Sequence, residues 1–337
     1  MTKGASSIEL AVPRQAVWDL LVGPGRRDWY YRLTPQGEFA EGAHVTWVDA
    51  EGKPAEESDV VAVEPHGRLV LRTRFVFAPA FSAAAPHVVT WALTGEGDRC
   101  EVQMSWEAEG PAAAMLASEA SSQLDALRLA ADPAARAELA RLDRIGEIEV
   151  RDVSPELLPA YLDFFDHRAF LDFPEWRSCY CIETHRAPNQ GDDEWTQPVA
   201  EVNRGDMSRS ILRGEVTALL AFEGDKPIGW CAYGETTRLG GVMHKFGLSA
   251  ADHEAVGSIS CFVIASPYRG HGVASRLLDV AIERLRAKGM HAVEAYPTRS
   301  GDSQHTNYRG PLAMYLRAGF EPYREAGKHT ILRKRLG

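Results

Sequence analysis

No stretch of this 337-residue sequence stays apolar over the ~20 residues that a membrane-crossing helix needs. The opening Met-Thr-Lys-Gly-Ala-Ser-Ser runs straight into Ile8-Glu9-Leu10 and lacks the apolar core of a secretory signal. A cytoplasmic protein with no membrane partner is therefore expected. Cysteine is scarce: five residues, scattered through a long chain, make no disulfide framework. Positive charge is in deficit as well. The net charge is −10, of which seven units fall before Gly146 and three after. Neither part has the basic excess that a phosphate backbone attracts, so nucleic acid is not an expected partner. What remains is a globular composition, 45% apolar and 25% charged, in a chain too long for one ordinary core. Two domains are expected.

The first domain reads as strand, short helix, antiparallel meander and long final helix. Residues 6–12 alternate, and Val17, Leu20 and Leu21 then recur at helical spacing until Gly23-Pro24-Gly25. Strand patterns follow at 43–49, 58–64, 68–77, 87–93 and 100–107, parted by turn signals such as Pro65-His66-Gly67. A helix-rich segment at 111–129 closes the domain and would cover one face of the sheet. This order, with the opening phrase Ile8 to Leu21 and the aromatic Asp28-Trp29-Tyr30, resembles the START/SRPBCC helix-grip superfamily and its Hsp90-activator-like branch. The resemblance implies a cavity between sheet and helix for an apolar ligand, which Trp47, Phe75, Phe77, Trp91 and Trp106 would line. The same aromatics also read as plain core.

A helical linker at 132–145 leads to the second domain. Its pattern begins with a strand at 147–153 and a helical face through Tyr161, Phe164 and Phe165. A long polar loop is expected over 174–201, then a helix over 199–213 and a hairpin at 216–222 and 227–233. A polar excursion over 234–256 precedes an apolar strand at 258–265. Helix 273–288, strand 292–296, a short helix at 312–317 and a last sheet segment at 320–332 complete the reading.

Between the apolar strand and helix 273–288 lies Arg269-Gly270-His271-Gly272-Val273-Ala274. A helix start presents unshared N–H groups and a positive dipole end, which attract phosphate oxygens. Glycines let the backbone approach closely, and successive inward N–H groups form an anion nest. The lysine of a P-loop and the acidic residue of a dinucleotide fold are not evident. Arg-x-x-Gly-x-Ala in this setting resembles the first motif of the GNAT acetyltransferase superfamily. Tyr315-Leu316-Arg317-Ala318-Gly319-Phe320 resembles its second, and together the two cover about Ile148 to Arg333.

The resemblance implies an N-acetyltransferase that moves an acetyl group from acetyl-CoA, as co-substrate, to a primary amine by direct attack in a ternary complex. The backbone of His271, Gly272, Val273 and Ala274 would hold the CoA diphosphate, with Arg269 and Gly270 shaping the loop. Val263 and Ile264 would bond the pantetheine as an added strand. Tyr315 would act as general acid toward the leaving thiolate, since a phenol's ordinary pKa lies above a thiol's. The family's usual glutamate early in the preceding strand is replaced by Ser258, so the base is open among Glu254, His253, Glu235 and Glu294, with Glu254 the first choice. Asn307 lies one position early in the second motif, and Tyr308 takes its expected place. Cys179-x-Cys181 with His185 matches no zinc spacing, and no metal is expected. Trp176, Trp195 and Trp230 with Asp192-Asp193-Glu194 could shape an amine site, or anchor a solvated loop.

The fold class expected is α+β in two domains: a helix-grip antiparallel sheet with a long C-terminal helix over 1–131, and a mixed α/β GNAT sheet over 146–337. The acceptor amine is not identified by the sequence. A non-catalytic apolar-ligand-binding or regulatory protein, whose second domain only senses CoA, is the alternative reading.

Overall fold

The computed structural model describes residues 1–185, 200–298 and 308–337. The chain divides into two compact units. One holds Met1–Ala140 with short later segments that include Pro174–Ser178; the other holds Arg141–Phe173 and most of Cys179–Gly337. Each has its own seven-stranded sheet, so the protein is α+β. Among the described residues, no helix is long and apolar enough to cross a membrane.

The first unit opens with β1 (Thr2–Leu10) and α1 (Arg14–Val22). The meander β2 (Thr34–Gln36), β3 (His44–Val48), β4 (Pro54–Glu64) and β5 (Arg68–Phe75) follows; α2 (Pro79–Ser82), β6 (His87–Thr94) and β7 (Cys100–Ala108) complete it. Helix α3 (Gly110–Ala131) and the single turn α4 (Pro133–Ala137) end the unit. All neighbouring strands are antiparallel, in the order β1-β7-β6-β5-β4-β3-β2. Strands β6 and β7 alternate buried and less buried positions along their length, as a sheet with one covered face requires. The cover is α3, which packs along β1 and β7; its 22 residues span about 33 Å. Strand β2 was not expected: it is three residues long and contains Pro35, so its pattern is too brief to read.

Two carboxyls are buried in this unit. Strand alternation turns Glu56, Ser58 and Val60 of β4 inward together. Glu56 accepts from the Tyr30 hydroxyl at 2.9 Å, and Ser58 meets Thr73 at 2.9 Å. Glu119, on α3, is 6% exposed. A cavity of about 220 Å³ lies between, bordered by both glutamates and by Phe75 and Phe77. Trp47 and Trp91 border a separate void of only about 20 Å³ and serve as core, while Trp106 packs beneath Gly4.

The second unit runs β8 (Ile148–Asp152), α5 (Leu158–His167), α6 (Ile182–His185), α7 (Ala200–Leu212), β9 (Ala218–Glu223), β10 (Lys226–Glu235), α8 (Gly240–Lys245) and β11 (Val256–Ile264). It continues with α9 (Val273–Ala287), β12 (Ala292–Ala295), α10 (Leu312–Arg317), β13 (Glu321–Ala326) and β14 (His329–Arg335). The sheet order is β13-β14-β12-β11-β10-β9-β8. Among the described strands only β11 and β12 are parallel, joined through α9, as a parallel pair needs a crossover. Helix α9 buries Val273, Leu277, Leu278, Ala281, Ile282 and Leu285, the spacing of one helical face. The excursion at 234–256 contains α8, whose Val242 and Phe246 side pack on Tyr296 and Ile331. Trp230 is fully buried between Tyr161 and Phe165, a core residue and not an amine site. Asp192, Asp193, Glu194, Trp195 and Asn307 lie outside the described residues.

Burial pushes both Glu56 and Glu119 up to about 7. The folded unit thus keeps these protons to a higher pH than the unfolded chain, and the stability they confer is lost as pH climbs from the ordinary carboxyl range through about 7. His87, pulled down to about 4 by burial, acts with the opposite sign. Glu119→Gln should therefore gain on the parent protein by up to about 3 kcal/mol between about pH 5 and about pH 8. Urea unfolding at the two pH values measures this; a pH-independent difference would contradict the buried carboxyl.

Candidate active site

Strand β11 has two different halves. Val256 to Ile259 pair with Ala292 to Ala295 of β12, and there the pairing stops. Beyond, β11 continues to Ile264, and among the described strands its pairing there is with β10 on the other side. The Ala265 N–H donates to Ile228 on the β10 side, while the Phe262 N–H donates the opposite way, to Tyr308, at 2.6 Å. Alternation therefore turns the backbone of Phe262 and Ile264 to the parted edge and that of Val263 to β10. A second chain can add to that edge as a strand would.

The edge ends at the glycine loop. Gly270 and Gly272 have φ of +78° and +82°, conformations that a Cβ disfavours. Gly272 caps α9, and its carbonyl accepts the N–H of Arg276. Among the described residues, the N–H groups of His271, Gly272, Val273 and Ala274 meet no protein acceptor. They lie at the positive end of a 15-residue helix, where an anion is favoured.

Three side chains hold the loop. Arg269 donates to the Ile264 carbonyl at 2.9 Å, and its guanidinium forks onto Asp172, with one bond of 3.1 Å. Its charge is thus spent on shaping the loop. The imidazole of His271 donates to the Leu142 carbonyl at 2.7 Å. Arg141 donates to the Gly270 carbonyl at 3.3 Å, which brings one exposed cation against the nest. Asp172 and Arg141 were not among the sequence candidates. Arg141 comes from the segment read as linker, and Asp172 lies 97 positions before its partner.

Tyr315, on α10, is fully buried, and its hydroxyl donates to the Arg309 carbonyl at 2.6 Å. Its ring centre is 6.4 Å from that of Phe262, beside the parted edge. Burial pushes the phenol well above its usual range, so the proton stays on oxygen at neutral pH.

A buried polar chain runs through the paired half of β11. Ser258 stands opposite Glu294 of β12. Its hydroxyl meets Tyr296 at 2.6 Å and Thr236 at 2.8 Å. Tyr296 donates to Glu294 at 3.2 Å, and Glu294 takes two bonds from Arg333, at 2.6 and 2.9 Å. His253 lies 3.3 Å from the same carboxylate. Glu294 and His253 are thus brought together, joined through Tyr296 to Ser258. Glu254 and Glu235 are not part of the chain. Glu254 is exposed ahead of β11. Glu235 pairs with Arg238 at 3.1 Å. Among the described residues, no group of three or more His, Cys, Asp or Glu is placed to hold a metal ion.

Residues 172–320 match the model of the acetyltransferase (GNAT) family. This stretch of the second unit therefore carries a GNAT acetyltransferase domain, a family assignment that supports acyl transfer from acetyl-CoA in general terms. No curated protein matches the chain. Among solved structures, the PaiA N-acetyltransferase of Thermoplasma acidophilum, in complex with coenzyme A, is 16% identical over 56% of this chain and 99% of its own, with a TM-score of 0.36. An N-acetyltransferase of Staphylococcus aureus is 14% identical over 57% of this chain and 100% of its own, with a TM-score of 0.34. The Aha1 dimer of Colwellia psychrerythraea is 12% identical over 40% of this chain and 98% of its own, with a TM-score of 0.33.

Removing Glu294 strips Arg333 and Tyr296 of their shared acceptor in a buried setting. Glu294→Ala should cost about 3 kcal/mol of stability. Glu235→Ala, which breaks only the surface pair with Arg238, should cost under about 1 kcal/mol. Urea unfolding of both variants compares them; equal losses would mean that the buried chain is not a unit.

Proposed function

We propose that the protein is an N-acetyltransferase that moves the acetyl group of acetyl-CoA to a primary amine by direct attack in a ternary complex. The observation that carries this is the alignment of two features: the nest of unshared N–H groups at the start of α9, and the parted edge of β11 that leads away from it. A diphosphate joined to an amide-bearing arm needs both, in that order. The backbone of His271 to Ala274 would take the diphosphate, helped by the charge of Arg141. Arg269 and Gly270 would shape the turn, and the backbone of Ile264 and Phe262, flanking Val263, would bond the pantetheine amides. An N–H at that edge would also face the thioester carbonyl as it gains charge.

Tyr315 is the general acid in this reading. Its neutral phenol lies beside the edge where the sulfur would arrive, and it gives its proton to the departing thiolate. For the base, the chain Ser258–Tyr296–Glu294 is the better fit than Glu254. Ser258 occupies the position where the family usually has its glutamate, and the chain links it to a buried carboxylate. The attacking amine would lose its proton into this chain. We further read the first unit as a helix-grip domain of the START/SRPBCC kind, on the strength of its strand order, its long closing helix and the cavity between them. The cytoplasm is the compartment in which acetyl-CoA would be met.

Gly272→Glu should abolish acetyl-CoA binding by placing a carboxylate at the nest. A Cβ there meets no atom within 4 Å, so the unit should stay folded apart from the strain of its positive φ, about 1–2 kcal/mol. Calorimetric titration with acetyl-CoA, with circular dichroism as a fold control, is the measurement, and retained affinity would sink the site. Tyr315→Phe should lower thiol release across an amine panel by about tenfold or more while acetyl-CoA affinity changes little. Unchanged turnover would remove Tyr315 as the acid. Tight acetyl-CoA binding without transfer to any amine would favour a CoA sensor.

A further inference from the structure

The cavity of about 220 Å³ in the first unit has apolar walls, among them Tyr31, Phe75, Phe77 and Met115, and carries the carboxyls of Glu56 and Glu119. An apolar cavity of ~150 Å³ is enough for benzene, so this one has room for one aromatic ring with a short tail. A cavity meant only for a hydrocarbon has no use for acids, because an unpaired carboxylate in apolar surroundings is costly.

The two acids differ. Glu56 is answered: it accepts from Tyr30 at 2.9 Å and lies in the field of the buried Arg27. Glu119 is 6% exposed and accepts no hydrogen bond from any described residue. The cation whose field it feels, Arg177, is bonded to Asp125 at 3.0 Å. Glu119 thus offers the cavity a buried acceptor that calls for a donor. A primary ammonium brings three N–H donors and a positive charge, and aromatic faces such as those of Tyr31, Phe75 and Phe77 attract cations. An anion would face two carboxyls, and a plain hydrocarbon would leave Glu119 unanswered.

We propose that this cavity binds a primary ammonium carried on a small aromatic or alkyl body, with Glu119 as its counter-ion. The buried acid sets the class of ligand, and the volume sets its size.

Titration calorimetry of the full chain without acetyl-CoA, using 2-phenylethylamine, ethylbenzene and 3-phenylpropionate, tests the binding. The amine should bind at least about tenfold tighter than either of the others. Glu119→Gln should weaken the amine by about tenfold or more and leave ethylbenzene unchanged, and Met115→Trp, which fills the cavity, should remove all three. Ethylbenzene binding as tightly as the amine, or amine affinity unmoved by both cavity variants, would overturn the cavity assignment.

Discussion

The parting of β11 from β12 is the constraint on which the second unit's chemistry depends. Their parallel register ends at Ile259 and Ala295, after four residue pairs. Up to that point the backbone groups of β11 are satisfied on both sides. Past it they are satisfied on one side, and the far edge would be an unstable open strand unless something met it. Near the split, the segment around Tyr308 and Arg309 does so, through bonds to Phe262 and Ser260. Farther on, the Arg269 side chain takes the Ile264 carbonyl. What is left between these clamps is a short edge that leads to the nest at α9. Among the described residues, protein groups thus meet that edge at each end.

Arg269 has a double duty that its motif position alone does not reveal. Its fork onto Asp172 and its bond to Ile264 tie the loop to β11 and to the stretch after α5. A guanidinium so engaged is a poor phosphate ligand, because its N–H fork is already matched to a carboxylate. The free positive charge at the loop belongs instead to Arg141, whose guanidinium lies where a Cβ on Gly270 would come within 3.2 Å. The backbone supplies directed donors, and the nearby cation supplies the longer-range field.

How much was legible in the sequence follows from range. The loop was readable because glycine spacing, an apolar strand before it and a helical face after it are all local signals. The meander of the first unit was readable for the same reason, apart from the three-residue β2 with its proline. Asp172, Arg141 and the chain Ser258–Tyr296–Glu294 were not readable as a set. Each needs a register or a crossing that no local pattern encodes: Glu294 meets Ser258 only because β12 enters the sheet at that pairing. The two aromatics at the cavity, Phe75 and Phe77, were anticipated, but Glu56 and Glu119 were not. In β4 the inward positions run Glu56, Ser58, Val60, so the face that a hydrophobic pattern would mark is half polar.

Glu294 and Glu119 are both buried carboxyls, and their settings decide opposite fates. Around Glu294 the chain provides Arg333, Tyr296 and the nearby His253, so that charge there is matched from three elements. Around Glu119 the unit provides apolar walls and an arginine bonded to Asp125, and the carboxyl is driven up to about 7. In the empty protein that acid is a cost, partly avoided by keeping its proton. A natural core would be more stable with a leucine in its place, so stability does not account for its presence. A cation entering the cavity would turn the cost into a gain, because the buried carboxylate would then have its partner.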